Sequence, residues 1–310
     1  MAAQPSLAEQ AKPFIKWAGG KSQLLPQIRE CYPEALRQGR LRRYAEPFLG
    51  GAAVFLDVAQ AFDIESAYLS DINPELVLVY RVVQEAPADL VELLEGHTHR
   101  YSALDDELRE RYFYETRETY NAQLATLDFT EFSYDWVIRA ANMIFLNKTC
   151  YNGLYRVNSK GSFNVPFGRY RRPNISDPDN IMRISRLLGK AIIVHEPFTA
   201  CESFASSASF VYFDPPYRPL NQTSNFTSYS KDGFSDRDQT RLAEFFAHLD
   251  REYDSKLMLS NSDPKNSDPD DEFFDELYAP FVVRRVLANR MINSKGAKRG
   301  KITELLITNY

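Results

Sequence analysis

The chain alternates between short apolar runs and longer stretches in which apolar side chains recur with helical spacing. The short runs predict strands at residues 44–48, 67–71, 191–195, 210–213, 256–259, 281–286 and 304–308. The amphipathic stretches predict helices at residues 52–61, 74–84, 179–188 and 236–250. Because strands and helices follow one another, the pattern favours an α/β fold built on one sheet.

A charge-rich, mainly helical region at residues 87–147 interrupts this alternation and leads into a basic stretch with several Gly and Asn residues at 147–174. We interpret the region as a smaller domain inserted into the sheet domain. Residues 262–275 are acidic and contain proline, so they are predicted to form a mobile surface loop. The predicted domains are an α/β domain made of residues 1–74 and 177–310, and an insertion of residues 75–176.

Composition and length limit the class of protein. The 310 residues are 44% apolar and 25% charged, which is ordinary globular usage and excludes a collagen-like or disordered chain. The length suits two domains, or one domain with a large insertion. No apolar run reaches the roughly 18 residues of a membrane helix, and the first residues lack an apolar signal core, so we expect a cytoplasmic protein without a membrane partner.

Cysteine and histidine usage argues against disulfides and metal sites. Cys31, Cys150 and Cys201 are scattered and contain no CxxC pair. The four His residues show no zinc-like spacing. We therefore expect neither a disulfide framework nor a bound metal.

Basic residues are concentrated in two windows without an acidic residue, 136–176 and 284–301. The first holds Arg139, Lys148, Arg156, Lys160, Arg169, Arg171 and Arg172, and the second holds Arg284, Arg285, Arg290, Lys295, Lys298, Arg299 and Lys301. The rest of the chain carries 23 basic and 42 acidic residues, so basic patches on an acidic body predict a polyanion docked on one face. A solvated loop is the alternative for either run alone. Aromatic residues in the first window favour contacts with nucleic-acid bases: Tyr151, Tyr155, Phe163, Phe167 and Tyr170.

One tetrapeptide carries candidate chemistry, Asp214-Pro215-Pro216-Tyr217, directly after the apolar run 210–213. It is predicted to lie outside the carboxyl end of a strand, where open α/β sheets bind ligands. The two prolines remove two N–H donors, which leaves carbonyls beside one carboxylate and one aromatic ring. That combination suits the exocyclic amine and the ring of a planar base. The alternative is an ordinary proline turn with Asp214 as a cap.

A glycine turn, Phe48-Leu49-Gly50-Gly51, follows the first predicted strand, and Asp71 ends the second about 20 residues later. This spacing is typical of a βαβ unit whose turn approaches a nucleotide and whose acid accepts from a ribose diol. A tight turn and a helix cap are the alternatives. Gly20-Lys21-Ser22 is similar to the end of a P-loop, but the first glycine of that motif would fall at Ile15, which disfavours an ATPase.

In their order along the chain these motifs resemble the Dam-type DNA adenine-N6 methyltransferases, which use S-adenosylmethionine. The matching segments are Phe14-Ile15-Lys16-Trp17-Ala18-Gly19-Gly20-Lys21, Glu46-Pro47-Phe48, Ser70-Asp71-Ile72-Asn73, Asp214-Pro215-Pro216-Tyr217 and Gly300-Lys301-Ile302-Thr303-Glu304. Residues 151–160 and 163–170 resemble the enzymes that modify GATC, and in detail the methylases of DpnII-type restriction systems. The resemblance implies a Rossmann-like S-adenosylmethionine-dependent methyltransferase sheet with an inserted, mainly helical target-recognition domain.

The resemblance also implies roles for single residues. The implied catalytic residues are Asp214, Pro215 and Tyr217. The implied cofactor contacts are Trp17, Lys21, Phe48, Gly50, Asp71, Phe198 and Asp214. The implied DNA contacts are Tyr151, which wedges into the duplex, and the site-reading residues Asn152, Leu154, Arg156, Pro166 and Tyr170. Ala52 departs from the commoner Phe-x-Gly-x-Gly form of the turn, which weakens the case for Gly51 as a cofactor contact.

The implied activity is transfer of a methyl group from S-adenosylmethionine to adenine N6 in duplex DNA, within GATC, after the base is flipped into the pocket of residues 214–217. The implied partners are double-stranded DNA and a cognate restriction endonuclease that acts on the same site. The alternatives are a catalytically silent DNA-binding protein and a methyltransferase for an RNA base or a protein amide. Intact Asp214 and Tyr217 disfavour the first, and the basic, aromatic insertion, which resembles that of duplex-reading enzymes, disfavours the second.

Overall fold

Seven strands form one sheet in the computed structural model, which describes residues 10–218, 234–289 and 301–310. They are β1 (Arg43–Glu46), β2 (Ser66–Asp71), β3 (Ala191–His195), β4 (Ser209–Phe213), β5 (Lys256–Ser262), β6 (Val282–Asn289) and β7 (Lys301–Thr308). Their order in the sheet is β3-β2-β1-β4-β5-β7-β6. Strands β1, β2, β4 and β5 run parallel, whereas β7 is antiparallel to both β5 and β6.

Described α-helices lie between β1 and β2, between β2 and β3, between β4 and β5, and between β5 and β6. The α-helices within the described residues are α1 (Leu25–Glu30), α2 (Glu34–Arg37), α3 (Ala53–Ala61), α4 (Pro74–Glu85), α5 (Pro87–Ala103), α6 (Asp106–Gln123), α7 (Tyr134–Thr149), α8 (Pro178–Leu188), α9 (Asp236–Tyr253) and α10 (Phe273–Leu277). Among these helices, none is both long and apolar enough to cross a membrane.

The predicted α/β class is confirmed, and each of the seven predicted strands overlaps an observed one. The parallel strands show why the sequence signal was clear. All five residues of β4 are buried, and four of the six in β2 are buried, because strands covered on both faces need continuous apolar runs. The largest differences are three residues long: β5 and β6 end three residues later than predicted, and β7 begins three residues earlier.

Contacts divide the chain into two compact units. The first comprises the described residues within Met1–Gly20, Gly50–Ala52 and Asn73–His195, and the second comprises those within Lys21–Leu49, Ala53–Ile72 and Glu196–Tyr310. The first unit includes α8 because this helix packs against α4 and α5. The domain limits 1–74, 75–176 and 177–310 stay a prediction, and the contacts assign both the N-terminal segment and α8 to the helical unit.

A buried ion pair joins two helices of the first unit. Arg139 on α7 donates from Nε to Glu75 Oε2 at 2.7 Å and from Nη2 to Glu75 Oε1. Its Nη1 donates to the carbonyl of Tyr120 at 2.8 Å, and its guanidinium lies 4.0 Å from the Tyr120 ring centroid. Only 1% of Arg139 is exposed. The expectation that Arg139 belongs to a basic surface patch is therefore wrong, because Glu75 neutralises it inside the core.

The second unit brings several strand ends to one edge of the sheet. Strand β1 lies between β2 and β4, so the chain passes from β1 to one side and returns to the other side at β4. This reversal of strand order is the place where open α/β sheets bind ligands, outside the carboxyl ends of the strands. The backbone N–H of Leu49 donates to the Ser70 carbonyl at 3.0 Å and joins the residues that follow β1 to the end of β2.

Candidate active site

Asp214 lies directly after β4, at this reversal of strand order. Its Oδ1 accepts a hydrogen bond from Ser260 Oγ at 3.0 Å and forms an ion pair with Lys21 Nζ at 2.7 Å. Burial raises the pKa of Asp214, while the ammonium of Lys21 and the hydroxyl of Ser260 oppose that increase. The carboxylate is thus held by two donors and keeps a side-chain exposure of 20%, through which it can meet a ligand.

Tyr217 presents its ring beside the same lysine. Lys21, which is 5% exposed, places Nζ 4.5 Å from the Tyr217 ring centroid while it pairs with Asp214. The Tyr217 hydroxyl donates to Glu304 Oε2 on β7 at 2.5 Å. Burial, together with the negative charges of Asp214 and Glu304, raises the pKa of Tyr217 well above its ordinary value, so the phenol stays protonated.

Buried amide side chains support the two prolines between these residues. Gln239 on α9 donates from Nε2 to the Pro216 carbonyl at 3.1 Å, and Asn261 on β5 donates to Gln239 Oε1 at 3.0 Å. Gln239 and Asn261 are both fully buried, so each amide is oriented by the other. Because proline lacks an N–H, this carbonyl contact is one way to hold the Pro-Pro backbone in place.

A second carboxyl group, Glu46, ends β1 and is 3% exposed. Tyr44 OH donates to Glu46 Oε2 at 2.6 Å. Burial raises the pKa of Glu46 to about 8, and the charge of Asp214 adds to the increase, whereas Tyr44 and Lys21 oppose it. Glu46 is therefore mostly protonated at neutral pH.

The elevated pKa of Glu46 predicts a pH dependence of stability. Between the ordinary value of 4.5 and about 8, the folded state binds a proton that the unfolded state releases, so the free energy of unfolding should fall as pH rises. The slope for one such proton approaches about 1.4 kcal/mol per pH unit. Urea unfolding at pH 5, 6, 7 and 8 measures it against Glu46→Gln, which retains an acceptor for Tyr44 but cannot titrate. We expect the difference in stability between the two proteins to change across this window, and parallel pH profiles would contradict the assignment.

Two implied cofactor contacts of the second unit form an aromatic surface. The rings of Phe48 and Phe198 stack with centroids 5.5 Å apart and an interplanar angle of 23°, and both are partly exposed. Asp71 ends the neighbouring strand β2 and is also partly exposed. An aromatic face for a purine and a carboxylate for a ribose diol fit the adenosine part of S-adenosylmethionine.

The other implied cofactor contacts, Trp17 and Gly50, belong to the first unit. Trp17 stacks on Tyr155 with centroids 5.3 Å apart. Gly50 has a φ of 46°, a conformation that glycine adopts without strain. Ala52 also has a positive φ, 53°, at the position where the commoner form of the turn has its second glycine. The turn therefore has a left-handed backbone at Ala52 as well as at Gly50, although Ala52 carries a side chain.

The implied DNA contacts share one loop of the first unit, residues 151–170. The Tyr151 N–H donates to the Pro166 carbonyl at 2.9 Å, and the Asn152 N–H donates to Tyr170 OH at 3.2 Å. These bonds join the two ends of the loop, so four of the implied contacts lie together. Tyr151 is 56% exposed, Asn152 and Pro166 are exposed, and Tyr170 is partly exposed.

The two remaining implied DNA contacts lie in the same loop. Arg156 is exposed, and its Nε donates to Asn164 Oδ1 at 2.7 Å. The Asn164 N–H donates to the Arg156 carbonyl at 3.1 Å, which fixes the backbone of the same residue. Leu154 is partly exposed. The guanidinium of Arg156 is thus accessible and oriented, as a side chain that reads a base edge needs to be.

Three predicted base contacts in this loop are wrong. Tyr155, Phe163 and Phe167 are 8%, 2% and 8% exposed, respectively, and their rings pack inside the first unit. Phe167 contacts Phe113 with ring centroids 5.3 Å apart, and Tyr155 contacts Phe163 at 5.9 Å. Together with Val165, which is 1% exposed, they fill the core beneath the loop.

The second basic window is partly neutralised within the protein. Arg285 donates from Nε to Asp263 Oδ2 at 3.1 Å and from Nη2 to Asp275 Oδ2 at 2.6 Å. The expectation that Arg285 contributes to a basic patch is therefore wrong. Arg290, Lys295, Lys298 and Arg299 lie outside the described residues, as does the side chain of Lys301.

The residues that sequence analysis missed surround the tetrapeptide of residues 214–217. Ser260, Gln239 and Glu304 each hydrogen-bond to one of its residues but come from β5, α9 and β7. Serine, glutamine and glutamate are common, and no spacing links them to Asp214. The one available signal was the Gly-Lys-Ile-Thr-Glu segment at residues 300–304, which was noted without a role.

Known proteins match this chain over most of its length. The profile of the family described as D12 class N6 adenine-specific DNA methyltransferase matches residues 17–292. The Type II methyltransferase M.MjaIII of Methanocaldococcus jannaschii is 47% identical over 97% of this chain and 100% of its own length. The Type II methyltransferase M1.LlaDCHI of Lactococcus lactis subsp. cremoris is 39% identical over 96% of this chain and 95% of its own. A DNA adenine methylase of Vibrio cholerae is 32% identical over 94% of each chain.

The family profile covers most of the chain, and the relatives align with it nearly from end to end. The held carboxylate of Asp214 and the loop of residues 151–170 lie in the matched region. The chain belongs to the D12 class N6 adenine-specific DNA methyltransferases.

Proposed function

We propose that this DNA adenine methyltransferase acts on the adenine of GATC in duplex DNA, with S-adenosylmethionine as methyl donor, after the target base leaves the helix. The observation that carries the proposal is the geometry of Asp214. This partly exposed carboxylate is held by Lys21 and Ser260 and lies where the strand order reverses. A carboxylate fixed in this way can accept a hydrogen bond from the N6 amine of an adenine base.

We assign the residues of the tetrapeptide separate roles in methyl transfer. Asp214, with the carbonyl of Pro215, accepts from the N6 amino group and draws its lone pair out of conjugation with the ring. Tyr217 stacks on the flipped adenine and fixes its plane. When bound, S-adenosylmethionine would supply a methyl group from a positively charged sulfur: as the N6–carbon bond forms, the carbon–sulfur bond breaks with its electron pair left on sulfur, and N6 then releases one proton to water. Holding the amine in line with that methyl group accelerates transfer, since alignment of two bound reactants contributes up to about 7–11 kcal/mol.

Cofactor binding is assigned to the residues with suitable chemistry at the sheet edge. Phe48 and Phe198 offer stacked, partly exposed rings for the adenine of the donor, and Asp71 offers a carboxylate for its ribose. Trp17, Lys21 and Gly50 complete the set that the resemblance implies. Lys21 has a second function in this proposal, because its ammonium limits the negative charge of Asp214.

Duplex recognition is assigned to the loop of residues 151–170. Tyr151 is the side chain with the exposure needed to fill the gap left by a flipped base. Arg156 is proposed to pair with the O6 and N7 of a guanine, a contact that discriminates between bases by about 1–3 kcal/mol. Asn152, Leu154, Pro166 and Tyr170 complete the proposed reading surface.

The names of the relatives bear on the biological role of this methylation. Two relatives, at 47% and 39% identity, are named Type II methyltransferases, and the relative at 32% is named a DNA adenine methylase. We propose that this enzyme protects DNA from a cognate restriction endonuclease that cuts the same sequence.

The test is methyl transfer from labelled S-adenosylmethionine to paired duplexes that differ only in GATC. We expect labelling of the duplex that contains GATC and at most background labelling of a duplex in which this site is GTTC on one strand and GAAC on the other. A duplex that already carries N6-methyladenine on both strands of GATC is the control. Equal labelling of all three duplexes would reject the site assignment, and labelling of none would reject the function.

A further inference from the structure

Glu304 has no role in the proposed chemistry, yet it holds the aromatic ring on which the target base is proposed to stack. The Tyr217 hydroxyl donates to Glu304 Oε2 at 2.5 Å. Glu304 lies on β7 opposite Ser262 of β5 and Val286 of β6, so its backbone is fixed by strands on both sides. The C-terminal strand therefore reaches the tetrapeptide of residues 214–217 through one charge-assisted hydrogen bond.

The residue before Glu304 is anchored to the segment that follows β5. The Thr303 N–H donates to Asn266 Oδ1 at 3.0 Å, and Asn266 Nδ2 donates back to the Thr303 carbonyl at 2.7 Å. The Thr303 hydroxyl donates to Asp263 Oδ2 at 2.6 Å, and this carboxylate also accepts from Arg285. Asp263 is 1% exposed, so the predicted surface loop at residues 262–275 begins as a buried anchor.

These contacts fix the direction of the Tyr217 side chain. The Cα end of the residue follows two prolines with restricted backbone angles, and the hydroxyl end is tied to Glu304. A ring held at both ends loses little further rotational freedom when a base stacks on it. The carboxylate also polarises the phenol and makes the ring face more negative. That favours the transition state, in which positive charge develops on the adenine.

We propose that Glu304 is a positioning residue for methyl transfer: through Tyr217 it sets the plane of the flipped adenine so that N6 faces Asp214. This inference rests on the proposed function, because it takes Tyr217 as the stacking platform. The contacts of Thr303 with Asn266 and Asp263 hold the backbone next to Glu304 in place.

A double-mutant cycle on one duplex that the parent enzyme methylates tests the proposal. Glu304→Ala and Tyr217→Phe each remove the hydrogen bond, and each should lower kcat by about 10- to 100-fold, the range for a bond to a charged group. The KM for the duplex should stay within about twofold, because phosphate contacts dominate affinity. The double variant should be no worse than the slower single variant, because both substitutions remove the same bond. Glu304→Gln retains an acceptor and should recover most of the lost kcat.

Controls separate positioning from folding and from failure of the function. Glu272→Ala removes an exposed carboxylate of the same unit and should leave kcat unchanged. If Glu304→Ala fails to fold, Tyr217→Phe, which removes the same bond from its other partner, should still lower kcat by about 10- to 100-fold. Additive losses in the double variant, or parental kcat in Glu304→Ala, would overturn the positioning role while leaving the methylase assignment intact. A parent enzyme that labels no duplex would instead overturn both.

Discussion

Asp214→Ala is expected to lower kcat by about 10³-fold or more while duplex binding changes by less than about threefold. Removing one preorganised polar group from an active site costs about 10²–10³ in kcat, and Asp214 is proposed to contact the reacting nitrogen itself. The affinity for DNA should persist because it depends on the loop of residues 151–170 and on phosphate contacts. Single-turnover methylation and fluorescence anisotropy with the same duplex measure the two effects separately.

Two further variants show whether the lower kcat of Asp214→Ala has a catalytic or a structural cause. Asp214→Asn removes the charge that balances Lys21 but keeps an acceptor oxygen. Because it keeps this oxygen, it should retain more activity than Asp214→Ala. Asp63→Asn changes a carboxylate that is 70% exposed and paired with Arg42, and it should leave kcat within about twofold. If Asp214→Ala folded normally and kept parental kcat, Asp214 would be a cap for the proline turn. A loss of folding in both Asp214 variants would indicate that the carboxylate is needed chiefly for structure.

Glu75→Gln is expected to destabilise the first unit by about 3–5 kcal/mol, the largest stability effect we predict. The substitution leaves the guanidinium of Arg139 buried without its counter-charge, since the side chains of Arg139 and Glu75 are only 1% and 8% exposed. The cost arises from an unpaired ion in the core and not from the small attraction that a surface pair provides. Urea unfolding followed by circular dichroism should show the loss as a lower midpoint.

The same helix contains a matched control. Glu85 on α4 also pairs with an arginine, Arg81, but these side chains are 36% and 29% exposed. Glu85→Gln should therefore change the free energy of unfolding by no more than about 0.5 kcal/mol. Replacing the buried pair together, as Glu75→Leu with Arg139→Met, should recover part of the lost stability because no ion is then left unpaired. Equal midpoints for Glu75→Gln and Glu85→Gln would contradict the assignment.

The strands and most helices were predictable because their signals are local. The run Phe210–Phe213 is apolar throughout, which is what a strand covered on both faces requires, and α9 shows the spacing of an amphipathic helix. The tetrapeptide of residues 214–217 was also recognisable, since its residue types are contiguous and follow such a strand. These features depend on neighbours within a few positions along the chain.

The basic windows were misleading about two kinds of residue, arginines and aromatic residues. Arg139 is neutralised by Glu75, 64 residues earlier in the chain, and Arg285 by Asp263 and Asp275. Tyr155, Phe163 and Phe167 were expected to contact bases, but they pack beneath the loop. The charge and aromatic content of a segment do not show which of its side chains are buried in the folded protein.

The amino-acid sequence by itself determined the α/β class, the order of the strands along the chain and the Asp-Pro-Pro-Tyr motif, because apolar periodicity and short motifs act over a few residues. The tertiary structure alone decided which side chains hold that motif. Lys21, Ser260 and Glu304 reach Asp214 and Tyr217 from separate turns and strands, and Gln239 reaches Pro216 from α9. The physical reason is that hydrogen bonds and ion pairs depend on distance in space, and the sheet brings residues far apart in sequence to the same edge.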